Sequence, residues 1–130
     1  MIVDSSAMVA IIRGERDGAR LAARLGESDS ARMSAATLVE LSIVIDRDSS
    51  PNSAALLDEL VDRSGIEVVP FTAEHACIAR RAYQEFGKGS GHRAGLNFGD
   101  CFAYALAKQS GEPLLFEGDD FSHTDIVPAL

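Results

Sequence analysis

Long apolar runs are missing from this 130-residue chain. None approaches the roughly 20 residues that a membrane-spanning helix needs. The opening Met1-Ile2-Val3-Asp4 meets a charge at once, whereas a secretory signal requires a basic flank and a longer apolar stretch. The expectation is a soluble, cytoplasmic protein with no membrane partner. Cysteine is scarce: Cys77 and Cys101 match neither a zinc ribbon nor a CxxC redox site, and both read as buried small hydrophobes. Histidine is scarce too. His75, His92 and His123 are scattered and show no zinc-type spacing. No GxxxxGK[ST] phosphate loop and no internal repeat is present. Basic residues are outnumbered, 12 Lys and Arg against 20 Asp and Glu, a net charge of −8. That balance argues against a polyanionic substrate unless the acids are gathered where a divalent cation reverses the local sign.

What is present is enough apolar material for one core, with 46% hydrophobic residues, arranged as strands alternating with helices. Residues 1–4 read as a short strand, 5–12 and 16–26 as helices, 31–34 as a strand, and Ala35 to Asp46 as a helix. Pro51 opens the next helix and Gly65 closes it. Ile66 to Val69 is a strand ended by Pro70, and Thr72 caps a helix running to Phe86. Residues 87–95 are a glycine-rich basic loop, Phe98 to Gln109 a long helix, Pro113 to Phe116 a last strand, and Thr124 to Val127 a short edge strand. Short strands separated by helices imply a mostly parallel sheet covered on both faces. The expected fold is a single α/β domain over residues 1–130, a three-layer α/β/α sandwich with a sheet of four or five strands. In such sheets ligands bind at the carboxyl ends of the strands.

Several acids fall there. Asp4 stands between the first strand and the first helix, a position that also suits an N-cap. Glu40 has Ala36, Ile43 and Val44 as its helical neighbours, so it shares an apolar face; a glutamate there either reaches water at the edge of the domain or takes a partner such as a cation. Asp100 starts a helix that is apolar all round, and Asn97 to Asp100 has the spacing of a capping box. Asp119 and Asp120 follow the last strand beyond Gly118, with Glu117 and Asp125 close by. Carboxylates that converge on one point repel each other. Hard divalent cations with oxygen ligands, Mg²⁺ or Mn²⁺, resolve the repulsion. Arg80, Arg81, Lys88, His92 and Arg93 cluster before the Asp100 helix. They read either as a solvated surface or as a mobile basic lip for a nucleic-acid backbone.

These residues resemble the PIN domain and, within it, the VapC toxins. The resemblance rests on Met1-Ile2-Val3-Asp4-Ser5-Ser6-Ala7, on Ser34-Ala35-Ala36-Thr37-Leu38-Val39-Glu40, on Leu96-Asn97-Phe98-Gly99-Asp100-Cys101, and on Leu114 through Ile126. It implies a Mg²⁺- or Mn²⁺-dependent endoribonuclease, the toxin of a toxin–antitoxin pair, that stops translation and growth. Asp4 and Asp100 would be the metal ligands, with Glu40 and a fourth acid beside them. Where many PIN domains carry that fourth acid this chain has Gly118, which leaves Asp119 or Asp120 for the role. Ser6 and Asn97 would orient the ligands or the phosphate. A VapB-like antitoxin and a homodimer are implied as partners. Met8, Ile11, Ile12, Leu38, Ile43 and Ile45 are residues that line either the core or a groove for an antitoxin helix. A phosphoryl-transfer domain is the weaker alternative: the DxDx[TV] signature is absent, and no lysine ends the last strand. A PIN-like module that only binds is the other.

Overall fold

The structure is a computed structural model covering residues 1–130. Four short strands, β1 (Ile2–Val3), β2 (Ala31–Ser34), β3 (Ile66–Val69) and β4 (Leu114–Leu115), form one parallel sheet in the order β3-β2-β1-β4. The connections are α1 (Ser5–Arg13) and α2 (Gly18–Gly26), then α3 (Ala35–Asp46) and α4 (Pro51–Arg63), then α5 (Ala73–Phe86) and α6 (Asp100–Ser110). The chain steps outward from β1 to β3 and then returns to the far side of β1. Right-handed crossovers therefore put α1 to α4 on one face and α5 and α6 on the other.

Side chains alternate across the sheet as the strand period demands. Val3 and Leu115 pack with Met8, Leu21, Leu41 and Ile45 under α1 to α4. Ile2 and Leu114 pack with Ala82, Phe86, Ala103 and Leu106 under α5 and α6. Both sides of β1 and β4 are buried, which is the three-layer sandwich the sequence implies.

The helix starts follow local chemistry. Asp4, Ser34 and Thr72 each cap the helix that follows. His75 closes a reciprocal box with Thr72: its own N–H donates to Thr72 Oγ1, and its Nδ1 accepts from the Thr72 N–H, both at 3.2 Å. That histidine is structural.

Two expectations are corrected. Thr124 to Val127 do not form an edge strand. Residues Asp120–His123 wind into a single 3₁₀ turn, and the tail meets β4 through one bridge, Leu114 to Pro128. A proline at that bridge has no N–H with which to extend the ladder. Cys77 is exposed, while Cys101 is buried; α5 turns His75, Ala79, Ala82 and Phe86 inward, and residue 77 lies off that stripe. The glycine-rich loop is closed at its neck, where Gly87 bridges Leu96, the Lys88 N–H donates to the Leu96 carbonyl and the Leu96 N–H to the Phe86 carbonyl.

Candidate active site

The strands stay parallel, but the order in which the chain adds them reverses between β1 and β4, the crevice where such folds place ligands. Asp4 follows β1 directly, and its N–H donates to the Leu115 carbonyl at 2.9 Å, so it sits in that crevice. It is 1% exposed. Oδ2 accepts from the Ser6 N–H at 3.0 Å and from Ser6 Oγ at 2.6 Å. Oδ1 is buried with no hydrogen-bond partner. The cap and the candidate ligand foreseen for Asp4 thus coexist, one on each oxygen. Ser6 Oγ also accepts from the Glu117 N–H at 3.0 Å, which ties the start of α1 to the chain leaving β4.

Glu40 reaches the site from α3. It is half-buried, and its Oε2 accepts from Ser5 Oγ at 3.2 Å. Its carboxylate lies against the backbone of Gly99, just before α6: a Cβ on residue 99 would stand 1.9 Å from Oε1. Asp100 opens α6. Its Oδ2 accepts from the Asn97 N–H at 2.8 Å, and Asn97 Oδ1 accepts from the Asp100 N–H at 2.9 Å. The capping box is therefore real, and it holds the acid as well as the helix. Asn97 acts through two groups: its side chain grips the Asp100 backbone, and its own backbone N–H holds the carboxylate.

The electrostatics show which acids share one field. Asp4 is raised above the ordinary carboxylate range, by burial first and by the nearby Asp120 charge as well. Glu40 is raised by burial and by Asp4. Asp100 is pushed up to about 7, by burial and then by Asp4, Asp120 and Glu40. Asp4, Glu40, Asp100 and Asp120 therefore converge. Asp119 lines a separate cavity of about 440 Å³ with Asp17, Arg20 and Glu117. Asp125 is spent elsewhere, accepting from Tyr104 Oη at 2.7 Å and from Lys108.

The donor set is all oxygen, which suits a hard cation. The orphaned Asp4 Oδ1 is a buried acceptor whose cost a proton, a water or a cation would remove. The residues thus fit Mg²⁺ or Mn²⁺, although no three of them close into a compact ligand cage on their own.

The basic residues separate. Arg93 Nη2 lies 3.3 Å from His123 Nε2, on the 3₁₀ turn that carries Asp120. Arg80 lines a cavity of about 290 Å³ with Tyr83 and Phe98, and Phe98 continues into a second cavity, of about 480 Å³, containing Glu40, Val39 and Ile43. Arg81 and Lys88 are exposed and form no ion pair. His92 belongs to its loop: its ring meets Phe86 edge-on and its Nδ1 accepts from the Ala94 N–H. Of the apolar residues expected in the core or a groove, Met8 and Ile45 are core, Ile11, Ile12 and Leu38 pack against it, and Ile43 is exposed. Its exposed companions Val39 and Phe98 were not foreseen, and neither were the roles of Ser5 and Gly99.

The profile of the PIN domain family matches residues 1–127, so the chain belongs to the PIN domains. Within that class its relatives are VapC ribonucleases: it is 50% identical to ribonuclease VapC28 of Mycobacterium tuberculosis, over all of this chain and 98% of that protein. The fold recurs in M. tuberculosis VapC20, a toxin described as cleaving the sarcin–ricin loop, at a TM-score of 0.74 and 18% identity over 97% of this chain and 95% of that one. It recurs again in a toxin–antitoxin complex from Klebsiella pneumoniae, at a TM-score of 0.71 and 14% identity over 99% and 97%.

Proposed function

We propose that this chain is the toxin of a toxin–antitoxin pair and acts as a divalent-metal-dependent endoribonuclease. The observation that carries the metal-dependent reading is the orphaned Asp4 Oδ1, set among Glu40, Asp100 and Asp120 at the sheet crevice. Asp4 and Asp100 would hold Mg²⁺ or Mn²⁺, with Glu40 and Asp120 completing the acidic wall. A divalent cation there supplies a water of lowered pKa and offsets charge building on the scissile phosphate.

The chain's own groups prepare that site. Ser6 fixes Asp4 by holding Oδ2, which leaves Oδ1 available. The Asn97 N–H fixes Asp100, and Ser5 fixes Glu40. Such supporting hydrogen bonds orient ligands and tune them. Arg80 and Arg93, on the two flanks, would hold the RNA backbone and position it without reading bases. An antitoxin segment would cover Val39, Ile43 and Phe98, which are 60%, 49% and 76% exposed beside Glu40; a partner seated there closes the approach to the acids.

The test is cleavage of total RNA by the purified chain with Mg²⁺ or Mn²⁺, with EDTA, and beside an Asp4→Asn variant of equal helix content. Discrete fragments are expected that need the cation and fall by more than about 100-fold in the variant, since even supporting residues at metal sites are worth 10–100-fold. Absence of cleavage by the folded, cation-loaded chain across total RNA would overturn the ribonuclease reading and favour a module that only binds.

A further inference from the structure

Gly99 has no backbone reason to be glycine. Its φ of −65° and ψ of −38° are right-handed helical values that any residue adopts, and glycine loses more conformational freedom on folding than any other residue. Seven other glycines sit at positive φ, where the backbone explains them. Gly18 and Gly87 lack that excuse but press against main chain, at Ala10 O and Tyr83 O. Gly99 alone has a carboxylate as its closest neighbour: a Cβ would meet Glu40 Oε1 at 1.9 Å, Cδ at 2.3 Å and Oε2 at 2.5 Å.

We propose that Gly99 is a positioning residue, whose missing side chain seats the Glu40 carboxylate against the start of α6, next to Asp100. The inference rests on the ribonuclease reading for its effect on activity, and on geometry alone for the seating. A methyl group at residue 99 meets the free end of a flexible side chain, so the fold tolerates it and Glu40 moves. The penalty falls on the site, and it falls through one named residue. That residue also supplies the control. Ordinary contact begins at 3.4 Å, and shortening glutamate to aspartate withdraws the carboxylate by one C–C bond, about 1.5 Å, which is the distance missing.

The experiment is a cycle of four chains: the native chain, Gly99→Ala, Glu40→Asp and the double variant. Each is measured for kcat and KM on RNA, and the metal-free native and Gly99→Ala chains are crystallised. The expected result is a fall in kcat of at least about tenfold for Gly99→Ala in the native background, with KM nearly unchanged. In the Glu40→Asp background the same change should cost less than about twofold, because the seat is no longer contested. In the crystals the Glu40 carboxylate is displaced and the Asp100 backbone stays in place. An equal kcat penalty in both backgrounds overturns the proposal, because the effect then does not pass through Glu40. A Glu40 carboxylate unmoved in the Gly99→Ala crystal overturns it as well. A native chain that cleaves nothing, with Glu40 displaced in that crystal, refutes the ribonuclease reading and supports the seating.

Discussion

The two oxygens of Asp4 carry different duties, and the difference comes from one neighbour. Ser6 satisfies Oδ2 twice, through its N–H and its hydroxyl, while Oδ1 has nothing. A buried acceptor left bare is a local loss accepted for a purpose outside the fold. Asp100 shows the same economy through its titration. Its carboxyl is raised from 3.8 to about 7, because burial and three neighbouring acids penalise the charge. The folded chain therefore binds this proton more tightly than the unfolded chain does. Its contribution to stability is fully present below about pH 3.8 and is lost as pH rises through about 7. Asp4 and Glu40 are raised as well and act in the same direction. Asp48 and Asp125 are lowered, so their effect lies at more acid pH. The metal-free chain should accordingly melt at a falling temperature as pH climbs from 5 to 8. Asp100→Asn should flatten that slope and melt higher than the native chain at pH 8, while cleaving no RNA. Melting curves in EDTA across that range decide the matter; parallel slopes for the two chains would show that Asp100 titrates normally.

At the scale of elements, what was legible depended on how local the signal is. The start of α3, the opening of α4 at Pro51 and the Thr72 cap of α5 were readable because a cap or a proline acts within one turn. So was the placement of Asp4, Glu40 and Asp100, since Asp4 joins β1 to α1, Glu40 lies in the first half of the helix that leaves β2, and Asp100 opens α6. The choice between Asp119 and Asp120 was not readable. It depends on the 3₁₀ turn Asp120–His123 entered through Gly118, whose φ is +96°. One step along that turn sends a side chain to a different side of the sheet edge, and Asp120 reaches the field of Asp4 and Asp100 while Asp119 faces α2. Ser5 and Gly99 were hidden for a related reason: both act on Glu40 across about 35 or more residues of chain, and spacing in one sequence carries no trace of that. The turn yields a paired expectation. Asp120→Asn should lower cleavage by at least about tenfold, and Asp119→Asn should change it less than about twofold. Rates for the two variants at saturating Mg²⁺ separate them, and the reverse ranking would assign the fourth acid to Asp119.

For the whole molecule the central tension is charge, a chain of net −8 asked to hold a polyanion. The fold eases it by geography. The acids that face one another are drawn into the crevice between β1 and β4, where cations can offset them, while Arg80 and Arg93 stand on the two flanks, on α5 and over the 3₁₀ turn. Association with RNA then depends on few cationic contacts, and each should be visible singly. A phosphate contact releases counterions on binding, so each one adds about 0.7 to the slope of log affinity against log salt for single-stranded RNA. An Asp4→Asn chain, expected to bind RNA without cleaving it, is the proper host for the measurement, with Mg²⁺ held constant. Arg93→Ala in that host should weaken binding of unrelated single-stranded oligonucleotides to a similar extent and reduce the slope by about 0.7. Fluorescence anisotropy over a range of KCl concentrations reads both quantities. An unchanged slope would mean that Arg93 serves its pairing with His123 and the 3₁₀ turn alone, and that the backbone of the substrate is held from the Arg80 side.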